Sequence, residues 1–307
     1  MNNNNFKLNT SVLFLVFNRL GTTKKVFEAI KKAQPPKLYL AADGPRNEKL
    51  GEYEMVQAVR DYLSNSIDWD CEVKTLFREK NLGCKHAVSD AINWFFDHEE
   101  MGIILEDDCL PSQSFFWFCE NLLKKYKDDK RIGMVSGFNY GIEDWKFRYD
   151  YVFSKYPMIW GWATWKTRWK NYLEAYVDYD EIVATKQLTE MFGKNEASRR
   201  MKQFENARSG IIDTWDYVWA LSLYKNCQFT IIPKFNLIEN VGFGLDATHT
   251  TGVSKFAKIK TSEISLPLIH PPYIVQDPDI YKIVFNKTSL LKRVCYKVRK
   301  KIFSYEK

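Results

Sequence analysis

Three consecutive carboxylates, Glu106, Asp107 and Asp108, follow the apolar run 102–105. The run has the length and composition of a buried strand. Ligands of α/β proteins bind at the carboxyl ends of strands, and Mg2+ or Mn2+ prefers oxygen ligands that it shares with a substrate's phosphates. The triplet therefore predicts a divalent-cation site that serves a nucleotide-activated substrate. The alternative is an acidic, solvated strand end.

The elements that must position this triplet follow from the hydrophobic periodicity of the first half. Apolar strand-like runs alternate there with amphipathic helical patterns. This alternation predicts an α/β fold, with a Rossmann-like, mostly parallel sheet flanked by helices. The strands are predicted at 12–17, 37–42, 72–77, 101–105 and 132–136, and the helices at about 22–32, 48–63, 83–98 and 111–127. The first helix is expected to be capped by Thr22 or Thr23.

Composition bounds the class of protein. The chain has 307 residues, of which 45% are apolar and 16% aromatic, so it can bury a large core. It shows neither a transmembrane run nor the pattern of a signal peptide, so a cytoplasmic location is expected. The six cysteines are scattered without a CxxC pair, which predicts reduced thiols. Among them Cys109 is a candidate nucleophile beside the triplet, or an apolar filler behind it.

The second half is irregular and rich in aromatic residues. The segment 160–165 carries three tryptophans, which either form a platform for a sugar face or fill a core; core is the expectation for most of them. Farther on, a helix is predicted with Asp213 or Thr214 as its N-cap. Asp216 then falls in the first turn, where the helix dipole favours a carboxylate. One of the two aspartates is thus explained structurally, and the other is available as a base.

A glycine-rich segment, 240–250, ends in Thr-His-Thr. Its glycines allow a close approach to a ligand, and its hydroxyls and imidazole suit a diphosphate or a metal ion. The alternative is a surface loop with an incidental histidine.

The positive charge of the chain is concentrated at its end. The formal charge is +7. The segment 281–307 carries nine basic residues and one acidic residue, a net charge of 9 − 1 = +8, so the remainder is near neutral. Apolar residues recur there at helical spacing, which is typical of a basic amphipathic helix on an anionic membrane surface. A terminal helix packed on the domain is the alternative. No base-reading motif accompanies the basic residues, so no nucleic-acid partner is expected.

Taken in order, these segments resemble the nucleotide-sugar transferases of GT-A fold, in particular N-acetylglucosaminyltransferase I and its bacterial relatives. The resemblance covers roughly residues 11–255. It predicts a disordered segment 1–10, a transferase domain 11–255 with a smaller irregular acceptor side, and a basic extension 256–307. The motifs that carry it are Phe17-Asn18-Arg19, Asn81-Leu82-Gly83, Leu105-Glu106-Asp107-Asp108, Phe115-Phe116, Thr214-Trp215-Asp216, and Phe243-Gly244 before Thr248-His249.

The resemblance implies roles for individual residues. Asp108 maps to the aspartate that binds Mn2+ carrying the donor diphosphate, and Asp216 maps to the base. Gly244 and His249 map to a loop that orders over the nucleotide, while Asp43 is placed where such enzymes hold the nucleoside. The remaining donor-binding candidates are Asn18, Arg19, Asn81, Gly83, Glu106 and Asp107. The chain departs from the family at Asp216-Tyr217, where the family has a pair of aspartates.

The implied activity is metal-dependent, inverting sugar transfer from a nucleotide sugar, expected to be a UDP-sugar, to a glycan or lipid-linked acceptor. The basic segment 281–307 fits an enzyme of bacterial surface polysaccharide or lipopolysaccharide synthesis. Such an enzyme would lie at the inner face of the plasma membrane as a peripheral protein. Two rivals stay open. One is a nucleotidyltransferase that makes an activated sugar. Such an enzyme would require a glycine-rich phosphate loop after the first strand. The other is a non-catalytic glycan-binding scaffold.

Overall fold

The computed structural model describes residues 7–142, 148–243, 259–277 and 280. The strands within these ranges are β1 (Val12–Val16), β2 (Lys37–Ala42), β3 (Glu72–Phe77), β4 (Met101–Glu106), β5 (Cys109–Pro111), β6 (Ile132–Ser136), β7 (Tyr151–Ser154), β8 (Trp162–Trp165), β9 (Phe229–Pro233) and β10 (Ile238–Asn240). The α-helices are α1 (Leu20–Ala33), α2 (Glu52–Ser66), α3 (Gly83–His98), α4 (Gln113–Lys125), α5 (Lys166–Trp169), α6 (Tyr179–Ala184), α7 (Gln187–Phe192), α8 (Lys194–Arg208) and α9 (Asp216–Lys225).

An eight-stranded sheet, in the order β3-β2-β1-β4-β8-β6-β9-β7, forms the centre of the described structure. The first four strands are mutually parallel. β8 runs antiparallel to both β4 and β6, and β7 runs antiparallel to β9, which is itself parallel to β6. Six of the eight strands therefore point the same way, and the prediction of a mostly parallel α/β sheet flanked by helices is confirmed.

Alternate residues of each strand supply two separate cores. In β1, Val12 and Phe14 face the core that includes residues of α1, α2 and α4. Leu13 and Leu15 face a second core that includes residues of α3 and α9. Because both faces of β1, β2 and β4 are covered, their sequences read as mostly continuous hydrophobic runs. β3, at the edge of the sheet, is partly exposed and contains Glu72 and Lys74.

Four tryptophans of the second half, Trp162, Trp169, Trp215 and Trp219, lie in the second core, and Trp165 lies in the first. Trp162 stacks on Trp215 with 5.5 Å between ring centroids and lies 5.7 Å from Trp219. All three are buried, as are Trp165 and Trp169. The prediction that most of these rings are core residues is confirmed.

The helix starts differ from the sequence prediction where a cap depends on distant contacts. α1 begins at Leu20 with Arg19 at the N-cap position, and the hydroxyls of Thr22 and Thr23 donate to the Arg19 carbonyl, so neither threonine is the cap. α2 begins at Glu52 rather than near residue 48. α4 begins two residues after Pro111, because Pro111 belongs to β5.

The segments outside the predicted domain 11–255 also pack on it where they are described. Leu8 is fully buried, and the Asn9 backbone N–H donates to Glu120 at 2.7 Å. At the other end, the Glu263 carboxylate accepts the first backbone N–H groups of α4, from Gln113 at 3.1 Å and Ser114 at 2.8 Å. Residues 259–277 therefore belong to the folded unit, whereas the predicted basic helix in 281–307 lies outside the described residues.

None of the helices in the described ranges is long and apolar enough to cross a membrane.

Candidate active site at the carboxyl edge of the sheet

A cleft of about 760 Å³ opens at the edge where the parallel strands end. All but one of the predicted site residues that the structure describes line it: Arg19, Asp43, Asn81, Gly83, Glu106, Asp107, Asp108 and Asp216. Asn18 is the exception, because its side-chain amide points to α2 and donates to Glu52 Oε1 at 2.9 Å. Gly244 and His249 lie outside the described residues.

Strand direction explains why residues distant in sequence meet here. Because β1 to β4 are parallel, the residues after them, including Asp43 after β2 and Asp107 after β4, lie along one edge. β8 runs the opposite way beside β4, so its beginning lies at this same edge, with Trp162 paired to Ile104. Trp160, two residues before β8 begins, therefore lines the cleft beside the acidic triplet.

Arg19 holds the acidic triplet together. Its guanidinium pairs with both carboxylate oxygens of Asp107 and donates to Asp108 Oδ2 at 3.1 Å. Burial lowers the pKa of Arg19, but the charges of Asp107 and Asp108 outweigh this and hold the pKa above its ordinary value. One permanently charged side chain from the β1–α1 junction thus offsets part of the repulsion between two carboxylates after β4.

Glu106 is the least compensated member of the triplet. Its Oε1 atom is buried and has no hydrogen-bond partner among the described residues. Burial, reinforced by the charges of Asp108 and Asp107, raises the pKa of Glu106 to about 8. Burial also raises the pKa of Asp107, to about 6, although Arg19 acts in the opposite direction. Full ionisation of the three carboxylates at this strand end is therefore unfavourable, and the site favours an additional cation or a bound proton.

Asp108 is held in the cleft by its backbone and by a close glycine. The Val241 N–H donates to the Asp108 carbonyl at 2.8 Å, which extends the antiparallel pairing of β5 with β10. A Cβ atom on Gly242 would stand 2.4 Å from Asp108 Oδ2 and 3.0 Å from Arg19 Nη1. Only glycine lets the chain pass this closely over the ion pair.

Cys109, next to Asp108, is fully buried, and burial raises the pKa of its thiol well above the ordinary value. A buried, protonated thiol is a poor nucleophile. The burial of Cys109 favours its interpretation as an apolar filler behind the site over that of a nucleophile.

Asp43 and Asn81 organise the wall of the cleft that lies beside β2 and β3. The Asp43 carboxylate accepts from the backbone N–H groups of Gly44 at 2.9 Å, Leu82 at 3.0 Å and Gly83 at 3.2 Å. Asn81 donates to the Gly44 carbonyl at 2.8 Å. Burial raises the pKa of Asp43 although these backbone donors lower it. Asp43 therefore fixes the start of α3 as well as lining the cleft.

The two aspartates near the beginning of α9, Asp213 and Asp216, have different hydrogen-bond partners. Neither Asp213 nor Thr214 is the N-cap of α9, because the N-cap position is Trp215. Asp213 instead accepts from the backbone N–H groups of Cys84 at 2.7 Å and Lys85 at 3.0 Å, at the beginning of α3. Asp216 is the first residue of α9 and accepts a hydrogen bond from the Thr214 hydroxyl.

The cleft includes residues that the sequence did not suggest for this site. Arg46 follows the turn after β2 and is paired with Glu52, with its guanidinium 5.6 Å from the Phe17 ring centroid. Arg78 directly follows β3 and donates to the Ala87 carbonyl at 3.2 Å. The rule that points to residues after parallel strands could have identified Arg78, whereas nothing in the sequence places Arg46 in the cleft.

The charges of the cleft bear on whether a divalent cation fits. The lining contains six carboxylates, those of Asp43, Glu106, Asp107, Asp108, Asp213 and Asp216, against three guanidinium groups, those of Arg19, Arg46 and Arg78. The described residues contain no cluster of three His, Cys, Asp or Glu side chains arranged around a common metal position. Mg2+ and related ions are commonly bound by one or two carboxylates together with substrate phosphates. The acidic excess and the partly exposed Asp108 carboxylate suit an ion that is completed by a phosphate-bearing ligand.

Comparisons with known proteins give structural similarity only. No protein-family model matches the chain, and no curated protein sequence matches it. Among solved structures, it is similar to the mannosyltransferase PcManGT from Pyrobaculum calidifontis in complex with GDP-Man and Mn2+, with 13% identity over 52% of this chain and 45% of that chain and a TM-score of 0.36.

Two further structures are similar at comparable levels. S. aureus TarS, residues 1–349, shows 9% identity over 75% of this chain and 60% of that chain, with a TM-score of 0.42. An apo UDP-glucose pyrophosphorylase shows 11% identity over 75% of this chain and 93% of that chain, with a TM-score of 0.37. The chain spans less than two thirds of PcManGT and of the TarS structure, and at these TM-scores none of the similarities carries a conclusion about activity.

The close approach of Gly242 to the ion pair predicts a binding defect. Gly242→Ala should displace the Asp108 carboxylate and weaken the affinity for UDP in the presence of Mn2+ by at least ~10-fold, as measured by calorimetry. Gly21→Ala is the matched control, because no atom lies within 4 Å of the added methyl group and the position is inside α1. Equal affinities of the two variants would contradict a role for this contact.

The raised pKa of Glu106 predicts a pH dependence of stability. A carboxyl whose pKa is raised on folding binds its proton more tightly in the folded state. Glu106 therefore contributes to the free energy of unfolding at low pH. This contribution is lost as the pH rises from the pKa of the unfolded state, about 4.3, to that of the folded state, about 8. In metal-free buffer, Glu106→Gln should be at least about 1 kcal/mol more stable than the wild type at pH 8, with a smaller difference at pH 5. Denaturant unfolding at both pH values measures this.

The exposed Glu54→Gln in α2 is the control for side-chain chemistry alone. A Glu106→Gln variant whose stability relative to the wild type is the same at pH 5 and pH 8 would show that Glu106 does not carry the raised pKa.

Proposed function

We propose that this protein is a metal-dependent, inverting glycosyltransferase that moves a sugar from a nucleoside diphosphate donor to a hydroxyl of a glycan or glycolipid. The observation that supports this most is the meeting of Asp108 and Asp216 in one cleft at the carboxyl edge of the sheet. The first follows a strand of the parallel half, and the second begins a helix more than 100 residues later. The resemblance to N-acetylglucosaminyltransferase I assigns complementary roles to the same two residues.

The donor side is proposed to lie between β1, β2 and α3. Asp43, Asn81 and Gly83 form the wall on which a nucleoside would rest, and Arg19, which lines the same cleft, donates to Asp108 at 3.1 Å. Asp108 would hold Mn2+ or Mg2+ together with the donor diphosphate. When bound, such an ion neutralises the charge that develops on the leaving diphosphate. Arg19 fixes the orientation of Asp107 and Asp108 in readiness for that role.

Asp216 is the better candidate for the base. The Asp213 carboxylate accepts two backbone N–H groups at the beginning of α3, which commits its oxygens to a structural role. Asp216 lines the cleft, where the Thr214 hydroxyl orients one of its oxygens. In this proposal Asp216 accepts the proton of the acceptor hydroxyl as that oxygen attacks C1 from the face opposite the diphosphate, so the anomeric configuration inverts.

The acceptor and the cellular setting are proposed from the sequence. The basic segment 281–307 suits an anionic membrane surface, which fits a lipid-linked acceptor used in bacterial surface polysaccharide or lipopolysaccharide synthesis. UDP is the expected nucleotide. A peripheral position at the inner face of the plasma membrane follows from the same argument.

The nucleotidyltransferase alternative is less well supported by the local structure. That activity would want a glycine-rich phosphate loop after β1, but residues 20–33 after this strand form α1, with Gly21 inside the helix. Arg19, the first cationic residue after β1, is already paired with Asp107 and Asp108. Formation of a nucleotide sugar and pyrophosphate from a nucleoside triphosphate and a sugar 1-phosphate would nevertheless overturn the proposal.

The proposed base makes a direct prediction. Asp216→Asn should lower the turnover of sugar transfer by at least ~10^2-fold, because an amide cannot accept the acceptor proton, while UDP affinity stays within about twofold of the wild type. The matched control is Asp61→Asn, which alters an exposed aspartate of α2. Radiolabelled transfer from a panel of UDP-sugars and calorimetry of UDP binding measure the two quantities. Turnover near the wild-type value would remove Asp216 from the mechanism.

A further inference from the structure

The connection between α8 and α9 is held by the first turn of α3. Asp213, near the end of this connection, accepts from the Cys84 and Lys85 backbone N–H groups at 2.7 and 3.0 Å. At the other end, the Lys85 ammonium donates to the carbonyl of Ala207, in the last turn of α8, at 2.9 Å. The segment that leads into Asp216 is thus tied at both ends to the wall of the cleft beside α3.

The start of α3 is built to receive Asp213. Gly83 has a φ angle of +79°, and a Cβ atom there would stand 2.6 Å from Asp213 Oδ2. Asp43 accepts the preceding two backbone N–H groups, from Leu82 and Gly83. Four successive N–H groups at the beginning of the helix are therefore taken by two carboxylates, one from the β2 end and one from the segment before α9. Each carboxylate fixes a different part of the cleft against the same helix.

The other side of the same segment is anchored by packing. Trp215 is 2% exposed and stacks on Trp162. Asp213 itself is exposed, so its contribution lies in its hydrogen bonds rather than in buried area. Loss of one exposed capping carboxylate is a small change, and we do not expect it to unfold a domain with two large cores.

We infer that Asp213 is a positioning residue for Asp216: its bonds to α3 set the distance between the proposed base and the wall of the cleft assigned to the donor. This inference rests on the proposed function. Asp213 does not take part in the chemistry, and its effect on the reaction passes through Asp216, three residues farther on. A misplacement of about 1 Å at a reacting group costs up to ~10^2-fold in rate.

The test compares graded variants. Asp213→Ala removes both acceptor oxygens and should lower the turnover of sugar transfer by about 10- to 100-fold, and Asp213→Asn, which keeps one, should fall between it and the wild type. UDP affinity should stay within about twofold, and the melting temperature should stay well above the assay temperature. Lys85→Met removes the second tie and should also lower turnover. Asp180→Ala, which breaks the exposed pair with Arg208 at 2.7 Å, is the control that should leave turnover unchanged.

A double-mutant cycle separates positioning from a general structural role. In the Asp216→Asn background, Asp213→Ala should cause no further loss of turnover, because the group that it positions is already gone. A loss that multiplies with that of Asp216→Asn would overturn the inference, and so would wild-type turnover in Asp213→Ala.

A measurement without catalysis keeps this test separate from that of the proposed function. Amide hydrogen exchange of Cys84 and Lys85, and of residues 214–217, should be faster in Asp213→Ala than in the wild type. If exchange is faster in Asp213→Ala but the wild-type protein transfers no sugar from any donor, the proposed function is wrong while Asp213 still holds the segment before α9 on α3. Unchanged exchange at these amides would show that Asp213 does not hold the segment.

Discussion

The repulsion among three carboxylates at the end of β4 is the constraint that organises the cleft. A buried strand delivers Glu106, Asp107 and Asp108 to one point, where burial raises the pKa values of the first two. Arg19 provides the compensating charge by reaching from the β1–α1 junction to Asp107 and Asp108. Pairing a permanently charged guanidinium with carboxylates gives both charge and fixed geometry. Glu106 is left with a buried oxygen that has no partner among the described residues, so the site still favours a cation.

The second organising feature is the reversal of strand direction at β8. The four parallel strands bring the wall assigned to the donor to one edge of the sheet, and the antiparallel β8 turns its beginning to the same edge. The aromatic core beneath β8 and α9 then supports the segment with Asp216. Because α3 binds Asp43 from one side and Asp213 from the other, it joins the two halves of the cleft. The rigid elements thus lie behind the site, and short connections carry the functional groups.

Much of this arrangement could be predicted from the sequence, for physical reasons. Strands that are buried on both faces are continuous apolar runs, so Lys37–Ala42 and Ile132–Ser136 were predicted with the bounds that the structure has. Glu72–Phe77 was also predicted with the correct bounds, although it is a partly exposed edge strand. The acidic triplet at the end of β4 followed from the rule for parallel sheets, whereas Arg78, after β3, was not predicted although the same rule points to it. Helix caps were predicted poorly, because a cap can come from far away in sequence. Asp213 or Thr214 was expected to cap the helix that follows, but Asp213 instead accepts from the first backbone N–H groups of α3, as far as 129 residues back in sequence.

Side-chain direction was a further limit. Asn18 belongs to the same motif as Arg19, yet its amide bonds to Glu52 and faces away from the cleft, which no local pattern indicates. Gly244, His249 and the basic segment 281–307 lie outside the described residues and stay predictions.

The central claim is that Asp108 and a divalent cation together bind a nucleoside diphosphate. Calorimetric titration of the purified protein with UDP, with and without Mn2+, beside Asp108→Ala tests it most directly. We predict that UDP binding requires Mn2+ and that Asp108→Ala weakens it by at least ~10-fold, which corresponds to about 1.4 kcal/mol. Binding of UDP that is equally tight without Mn2+, or that survives in Asp108→Ala, would contradict the account.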